Sequence, residues 1–294
     1  MLKTLGDILG LKIMSDNQQW LQLFEQISCF YRQMLLLPNW GKYPNHSRDI
    51  WDSLAIFLGE YAFERQGRHP DYFHAAVDAL FWCKQENNGN LTHNVISDIW
   101  QRFSKLLKNH KLNKKNNPLY PNIEPDNKRF SKEPSVIEVV INRNITPSFT
   151  TYLQNQINQG GNIQNAFNLL KSIRGVGDKV ASLYLRDLVD IMNISLNNMQ
   201  DRFLLQPIDI WVKRTVNNLA ANQNMNKEEV AEWVVKTATG YNINPECVNM
   251  GIWFFCSQVV KSEYKLNMAL ADFNSAQKLV NDFRKRIQNV CQNC

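Results

Sequence analysis

Apolar residues recur at helical spacing along most of this chain. Residues 19–37, 50–66, 70–84 and 95–108 each place apolar side chains at positions i, i+3, i+4 and i+7, which is the period of one face of an α-helix. No segment alternates apolar and polar residues between hairpin turns, as the strands of a β-sheet would. The pattern therefore predicts an all-α fold. With 294 residues, the chain is long enough for two helical lobes that each bury a core.

Composition and cysteine spacing exclude several classes of protein. Hydrophobic residues make up 44% and charged residues 20% of the chain, which is typical of globular proteins and not of disordered or fibrous ones. No apolar run approaches the roughly 18 residues that cross a bilayer, so we expect no membrane partner. The C-x-x-C at Cys291 and Cys294 lacks a second ligand pair nearby, and a structural metal normally needs four ligands. We therefore expect no bound metal, and we expect the cysteines to be reduced thiols, as in proteins of the cytoplasm or nucleoid. We also expect the protein to be a monomer.

A proline- and asparagine-rich insertion, residues 109–135, interrupts the helical pattern. It contains Pro118, Pro121, Pro125 and Pro134, which rule out a continuous helix. Residues 105–143 carry nine Lys or Arg against four Asp or Glu, so most of the net charge of +6 lies there. Such a charge run is typical of a solvated, exposed connection. Binding of phosphate groups is the alternative.

Residues 165–192 predict two helices joined by a tight turn. The first helix leads into Gly175-Val176-Gly177, and the second begins at Asp178. The two glycines permit backbone conformations that side chains forbid, and they allow main-chain N–H groups to approach a phosphate. Val176 can insert into the core between them. A glycine-containing turn without any ligand fits the same residues.

A second informative run, residues 204–216, reads LLQPIDIWVKRTV. We expect Pro207 to start a helix and Asp209 to lie in its first turn, where the helix dipole favours a carboxylate. Taken alone, this aspartate is interpreted most simply as part of a helix cap.

Together the two runs resemble the helix-hairpin-helix, Gly-Pro-Asp superfamily of DNA glycosylases. Residues 173–181, IRGVGDKVA, match the family's L-P-G-V-G-x-K-x-A, and residues 207–214, PIDIWVKR, match its P-V-D-x-x-V-x-R. The resemblance covers residues 165–216, and the rest of the chain agrees in helical character alone. Two positions depart from the pattern, because Arg174 replaces a proline and Trp211 replaces a frequent histidine.

The spacing between the two motifs resembles one branch of that superfamily. Residues 193–206 lengthen the distance from Lys179 to Asp209, as in the archaeal-type 8-oxoguanine glycosylases, which lack an iron–sulfur cluster. The later cysteines, Cys247, Cys256, Cys291 and Cys294, are too widely spaced for that cluster. The resemblance thus implies that no cofactor is needed.

The resemblance implies a base-excision-repair DNA glycosylase with associated AP lyase activity. Its substrate would be double-stranded DNA containing a damaged base, an oxidised purine such as 8-oxoguanine. Lys179 aligns with the Schiff-base nucleophile, and Asp209 aligns with the aspartate shared by nearly all members. The expected DNA contacts are Arg174, Gly175, Val176, Gly177, Lys213 and Arg214, and the candidates for stacking on the extruded base are Trp253, Trp211 and Tyr61.

The same resemblance predicts how the lobes are assembled. Residues 1–49 and 217–294 would form a terminal lobe, residues 50–216 a second lobe, and Lys179 and Asp209 would face a cleft between them. A lysine attacks only as the neutral amine, and the positive end of a helix dipole disfavours the protonated form. Two alternatives stay open: a non-catalytic hairpin protein that binds DNA, and a monofunctional glycosylase in which Asp209 activates water.

Overall fold

The computed structural model describes residues 16–63, 71–110, 112, 114–122, 133–196 and 198–292, and within these ranges it contains helices and no strands. The prediction of an all-α fold is confirmed. In chain order, the α-helices are α1 (Asp16–Tyr31), α2 (Leu37–Gly41), α3 (Ile50–Ile56), α4 (Asp71–Glu86), α5 (His93–Leu106), α6 (Val136–Asn142), α7 (Phe149–Gly160), α8 (Gln164–Lys171), α9 (Asp178–Ile191), α10 (Met199–Leu204), α11 (Ile210–Leu219), α12 (Lys227–Gly240), α13 (Pro245–Phe254), α14 (Glu263–Leu270) and α15 (Phe273–Gln292).

Three of these helices run on into wider π-helical turns. Arg32–Leu36 joins α1 to α2, Phe57–Phe63 extends α3, and Phe255–Val260 extends α13. The sequence pattern predicts one helix over residues 245–264, and this is wrong. Lys261 adopts the left-handed conformation with φ 60°, which ends the helix, and the Ser262 hydroxyl caps the next one by accepting from the Lys265 N–H.

Side chains near the helix starts explain where several helices begin. Asn226 followed by Glu228 and Glu229 predicts a helix start from the sequence, and the capping box of Asn226 and Glu229 at α12 confirms it. Ser135 and Glu138 form a second capping box at α6. The sequence Thr146-Pro147 predicts a cap at the threonine with proline at the first helical position, and this is wrong, because the Ser148 hydroxyl caps α7 by accepting from the Thr151 N–H at 3.2 Å.

The chain forms two compact units. Of the described residues, those between 35 and 207 form the central unit, and residues 16–34 and 208–292 form the terminal unit. These boundaries differ from the predicted ones at 49/50 and 216/217. Residues 35–49 belong to the central unit because Trp40 is buried there, stacked on the Tyr184 ring with a centroid distance of 6.0 Å.

The core of the central unit surrounds α9. Residues 180–189 of this helix are all buried, as expected for a helix with neighbours on every side. The Tyr184 ring contacts Phe57 at 5.2 Å and Tyr61 at 5.0 Å between centroids. Arg186 and Asp187 are also buried and form an ion pair of 2.8 Å. The exposed N-terminal end of α9 is therefore fixed by an almost completely buried helix.

The core of the terminal unit forms where α1 packs against α13. Gly251 allows the closest approach, since an added Cβ would overlap the carbonyl oxygen of Phe24. Phe24 and Phe255 rings meet edge to face at 5.9 Å. Segments from both sides of the central unit in sequence thus build one core.

Two connections differ from expectation. Within the insertion, Asn117, Pro118, Leu119 and Tyr120 are buried, so residues 109–135 are not simply an exposed connection. Residues 193–206 include the short helix α10, capped by Asn198. The sequence of residues 1–16 predicts an amphipathic first helix, and all of it before Asp16 lies outside the described residues. The predicted helix end at 64–66, Lys128 and Arg129 lie outside them as well. None of the described helices is both long and apolar enough to span a membrane.

Candidate active site

The turn between α8 and α9, residues 172–177, is held from inside the central unit. Ile173 and Val176 are buried at 0% and 5% exposure, so Val176 inserts into the core as expected. The Val176 N–H donates to the Ile173 carbonyl at 3.1 Å. The predicted contact between the Val176 backbone N–H and DNA is therefore wrong, because this N–H already donates a hydrogen bond within the turn.

Arg174 is a structural residue of this turn. Its side chain is fully buried, and its guanidinium donates to the carbonyl oxygens of Tyr120 at 2.8 Å, Pro121 at 3.2 Å and Glu133 at 2.8 Å. It also donates to the Asn122 side-chain oxygen at 3.3 Å. Burial lowers the pKa of Arg174, and the negative charge of Glu138 opposes that shift. The predicted contact between this guanidinium and a DNA phosphate is wrong, because the donors are directed into the protein.

The two glycines of the turn have different surroundings. Gly175 has φ +73°, and an added Cβ would overlap the backbone carbonyl of Asn116. Its Cα face is thus covered by the insertion and not available to a phosphate, contrary to prediction. Gly177 is exposed, and an added Cβ there would meet nothing within 4 Å. Of the two predicted close approaches to DNA, only the one at Gly177 is sterically open.

Lys179 lies in the first turn of α9, directly after this open glycine. Gly177 occupies the N-cap position and offers no side-chain hydrogen bond to the helix start. The Lys179 side chain is exposed. Its neighbour Asp178 pairs with Lys171 of α8 at 2.5 Å across the turn. The helix start therefore presents an amine together with the positive end of the helix dipole.

Asp209 is the N-cap of α11 in the terminal unit. Its Oδ1 accepts from the Trp211 N–H at 2.9 Å and from the Val212 N–H at 3.0 Å. The expected helix start at Pro207 is wrong, since α11 begins at Ile210 and Asp209 precedes its first turn. These two hydrogen bonds fix the direction of a half-buried carboxylate.

A buried thiol lies close enough to this carboxylate to be affected by its charge. Burial raises the pKa of Cys256 to about 12, the hydrogen bond with Thr215 lowers it, and the negative charge of Asp209 raises it. Cys256 is therefore a neutral thiol near neutral pH.

The residues that follow Asp209 have partners within the terminal unit. Arg214 pairs with Glu263 of α14 at 2.8 Å, and its guanidinium carbon lies 5.9 Å from the centroid of the Trp211 ring. Lys213 and Trp211 are half-buried. An exposed pair such as Arg214–Glu263 contributes about 0–1 kcal/mol, so Arg214 can exchange this partner for a phosphate at small cost.

The three candidates for a base-stacking ring differ in accessibility. Tyr61 is only 2% exposed, and its hydroxyl donates to Asp187 and accepts from the Trp40 indole N–H. Its predicted role in the base pocket is wrong, because the ring belongs to the core. Trp253 is half-buried and meets Tyr31 edge to face at 5.8 Å. Trp253 and Trp211 remain predictions for that role.

The residues that hold the turn lie outside the hairpin motif and were not predicted from the sequence. Tyr120, Asn122 and Glu138 surround Arg174, and the Glu138 carboxylate accepts from the Asn122 N–H at 3.0 Å. The Ser135-x-x-Glu138 pattern after Pro134 was the available signal, since it marks a helix start at the end of the insertion. A contact between Arg174 and a residue roughly fifty positions earlier in the chain cannot be recognised from a single sequence.

Metal-binding geometry is absent from the described part of the chain. No group of three or more His, Cys, Asp or Glu side chains in it is arranged to hold a metal ion. Within the same residues, Cys29, Cys83, Cys247 and Cys256 are not joined in disulfides. The side chains of Cys291 and Cys294 lie outside the described residues.

The chain is similar to an uncharacterized protein of Methanocaldococcus jannaschii. The two are 28% identical over 319 aligned residues, which cover 92% of this chain and 73% of the archaeal protein. No protein-family model matches the chain. No solved structure matches it either.

Proposed function

We propose that this protein is a DNA glycosylase with associated AP lyase activity. The observation that carries the proposal is the exposed Lys179 in the first turn of α9, immediately after the sterically open Gly177. Asp209, oriented by two backbone N–H groups, follows in the order expected from the sequence resemblance. We further propose that α8, the turn and α9 act as a helix-hairpin-helix and that Lys179 and Asp209 face one cleft.

Strand binding in this proposal uses the N-terminal end of α9. Backbone N–H groups at a helix start bind phosphate oxygens well, and glycine lets the strand approach closely. Lys213 and Arg214 supply cations beside Asp209. Such contacts position the strand and are independent of base sequence.

The proposed reaction begins once the damaged nucleotide has left the base stack, which costs a few kcal/mol. Stacking on Trp253 or Trp211 would return roughly 1–3 kcal/mol. We propose an oxidised purine, 8-oxoguanine, as the base, following the branch that the motif spacing resembles.

Covalent chemistry in this proposal starts at the Lys179 Nζ. This nitrogen forms a bond to the sugar C1′, while the glycosidic C1′–N9 bond breaks and its electron pair leaves with the base, which is protonated. Asp209 takes the proton released by the amine and stabilises the positive charge developing on the sugar. Opening of the C1′–O4′ bond gives a Schiff base, with a proton delivered to O4′. Loss of a C2′ proton then expels the 3′ phosphate and nicks the strand.

Borohydride trapping tests this proposal directly. Hydride reduces the Schiff base to a stable amine, so protein and DNA become covalently joined. Lys179→Gln should abolish trapping on a duplex containing one 8-oxoguanine, while duplex binding is retained. Lys171→Gln is the matched control, because it removes an exposed lysine on the other side of the same turn. Trapping should survive in that variant.

The other outcomes identify the alternatives. Base release retained in Lys179→Gln without trapping would indicate a monofunctional glycosylase in which Asp209 activates water. No base release by the unaltered protein from any duplex carrying a single defined lesion would favour a non-catalytic DNA-binding protein. A trapped adduct in Lys179→Gln would show that another amine is the nucleophile.

A further inference from the structure

The central unit contains a cavity that the proposed glycosylase chemistry does not use. Its volume is about 760 Å³, within the range of roughly 300–1,000 Å³ found for small-molecule sites. Helix α5 forms one wall with His93, Ser97, Trp100 and Gln101, and the insertion forms another with Lys114 and Tyr120.

The cavity wall includes two aromatic rings and a cation. Trp100 and Tyr120 meet edge to face with centroids 4.7 Å apart. The Lys114 ammonium lies 5.0 Å from the Tyr120 centroid. An aromatic ligand ring that stacks against this wall would thus lie beside the positively charged Lys114 ammonium. Trp100 is half-buried, so part of its ring surface faces solvent.

The charges around the cavity favour an anion. Glu138 also lines it, but its carboxylate accepts from the Ser135 hydroxyl at 2.8 Å and from the backbone N–H groups of Ser135 and Asn122. This carboxylate is 8% exposed and serves the capping box. Lys114 is exposed and brings its charge to the cavity.

The start of α5 adds to this preference. Thr92 occupies its N-cap position without a side-chain hydrogen bond to the helix, and the first two turns supply His93 and Ser97 to the wall. The positive end of a 14-residue helix therefore adjoins the cavity. His93 Nε2 and the Asn142 side-chain oxygen lie 3.3 Å apart at the rim. The Gln101 Nε2 donates to the Ser97 hydroxyl at 3.1 Å, so Gln101 presents its side-chain oxygen to the cavity as an acceptor.

We propose that this cavity binds a nucleotide, with the base against Trp100 and the phosphate beside Lys114. Aromatic surface, amide groups and one cation match the flat ring, the polar ring edge and the charge of a nucleotide. The site does not depend on the chemistry of Lys179. Its occupant is either a free nucleotide or one nucleotide unit of a DNA strand, which share this chemistry.

Calorimetric titration with 2′-deoxyguanosine 5′-monophosphate tests the site. Lys114→Gln should weaken its binding about tenfold, whereas Lys115→Gln, which removes the neighbouring lysine outside the lining, should leave it within about twofold. Deoxyguanosine, without the phosphate, should bind the unaltered protein at least about tenfold more weakly. Gln101→Ala, an exposed substitution that spares the fold, should also weaken binding. A four-nucleotide single strand is titrated in parallel.

Each result either identifies the occupant of the cavity or overturns the proposal. Lys114-dependent binding of the monophosphate alone identifies a free nucleotide, and Lys114-dependent binding of the strand alone or of both probes identifies a strand unit as an occupant. The proposal is overturned if neither probe binds, or if Lys114→Gln and Lys115→Gln weaken binding equally. Equal binding of deoxyguanosine and the monophosphate would overturn the phosphate placement and with it the assignment.

Discussion

The Nη2 atom of Arg174 lies 2.8 Å from the carbonyl oxygen of Glu133. This bond joins the turn before α9 to the C-terminal end of the insertion. Because the same guanidinium also binds Tyr120, it fastens both ends of the segment between them to the turn that precedes Lys179. Arg174, which the sequence motif suggests as a DNA contact, thus holds the insertion and the turn together by hydrogen bonds.

Arg174→Met should destabilise the central unit strongly. The variant leaves buried carbonyl oxygens without their charged donor, and bonds of that kind contribute roughly 1.5–3 kcal/mol each. We expect a loss of at least about 3 kcal/mol in urea unfolding followed by circular dichroism. Arg143→Ala removes an exposed arginine after α6 and should cost less than about 0.5 kcal/mol. Unchanged stability with a selective loss of DNA affinity would restore Arg174 as a DNA contact.

The two glycines of the turn should respond differently to alanine. Gly175→Ala meets both a positive φ and the Asn116 carbonyl, so we expect a loss of more than about 1–2 kcal/mol. Gly177→Ala has an extended backbone and open space around it, and should change stability by less than about 0.5 kcal/mol. Thermal unfolding of the pair measures the difference. Equal losses would mean that the insertion does not rest on Gly175.

Asp209→Asn should separate catalysis from folding. Asparagine caps helices about as well as aspartate, so the unfolding free energy should change by less than about 0.5 kcal/mol. Base release should slow by about 100-fold or more, because asparagine neither accepts the proton nor carries the charge. Asp49→Asn is the control for base release, since Asp49 Oδ1 accepts two N–H groups in the same way at the start of α3 and this substitution should leave the rate of base release unchanged. Equal rates for Asp209→Asn and the unaltered protein would remove Asp209 from the reaction.

Asp49 should make stability depend on pH in the acid range. Burial raises the pKa of Asp49, but the hydrogen bond and charge of Lys84 and the backbone N–H groups outweigh it and hold the pKa below 3.8. The carboxylate therefore stabilises the fold above about pH 4, and this stabilisation is lost as the pH falls through the folded-state pKa.

The destabilisation caused by Asp49→Asn should therefore be constant from pH 5 to 7, because this range lies above roughly 4, the pKa of an unfolded aspartate. It should shrink as the pH falls below that value. Urea unfolding at several pH values gives the comparison, with Asp282→Asn, an exposed position in α15, as control. A destabilisation that grew on acidification would contradict the assigned ion pair.

The salt dependence of duplex binding should report on the insertion. Each phosphate contact contributes about −0.9 to the slope of log K against log salt. Neutralising Lys114, Lys115, Lys128 and Arg129 together should flatten that slope, because Arg174 binds Tyr120 and Glu133 of the same insertion to the turn before Lys179. Replacing Lys227, Lys236, Lys265 and Lys278 in the terminal unit gives a control of equal charge. Equal slopes for the two variants would identify the insertion as a solvated connection.

Helical content could be predicted from the sequence, because it depends on a local period and on local caps. The capping box of Asn226 and Glu229 spans four residues and was readable in advance. The role of Arg174 could not be read from the sequence, because the side chain of an arginine beside a glycine can be either exposed to solvent or buried. Its partners lie in an insertion whose prolines indicate an exposed loop, although Leu119 and Tyr120 are buried.

The candidate site shows the same division between local and long-range information. Gly177 and Lys179 lie where the hairpin pattern predicts an open helix start, since both positions follow from neighbouring residues. Tyr61 could not be excluded as a base-stacking ring from its sequence. Its burial depends on Trp40 and Asp187, which come from distant parts of the chain.

The close packing of Gly251 against Phe24 has a consequence for biosynthesis. Helix α1 leaves the ribosome long before α13, and the whole central unit is made in between. At about 5–20 residues per second, the apolar face of α1 waits tens of seconds for the helix that covers it. The central unit can complete its own core during that interval, so translation itself imposes an order in which the terminal unit assembles last.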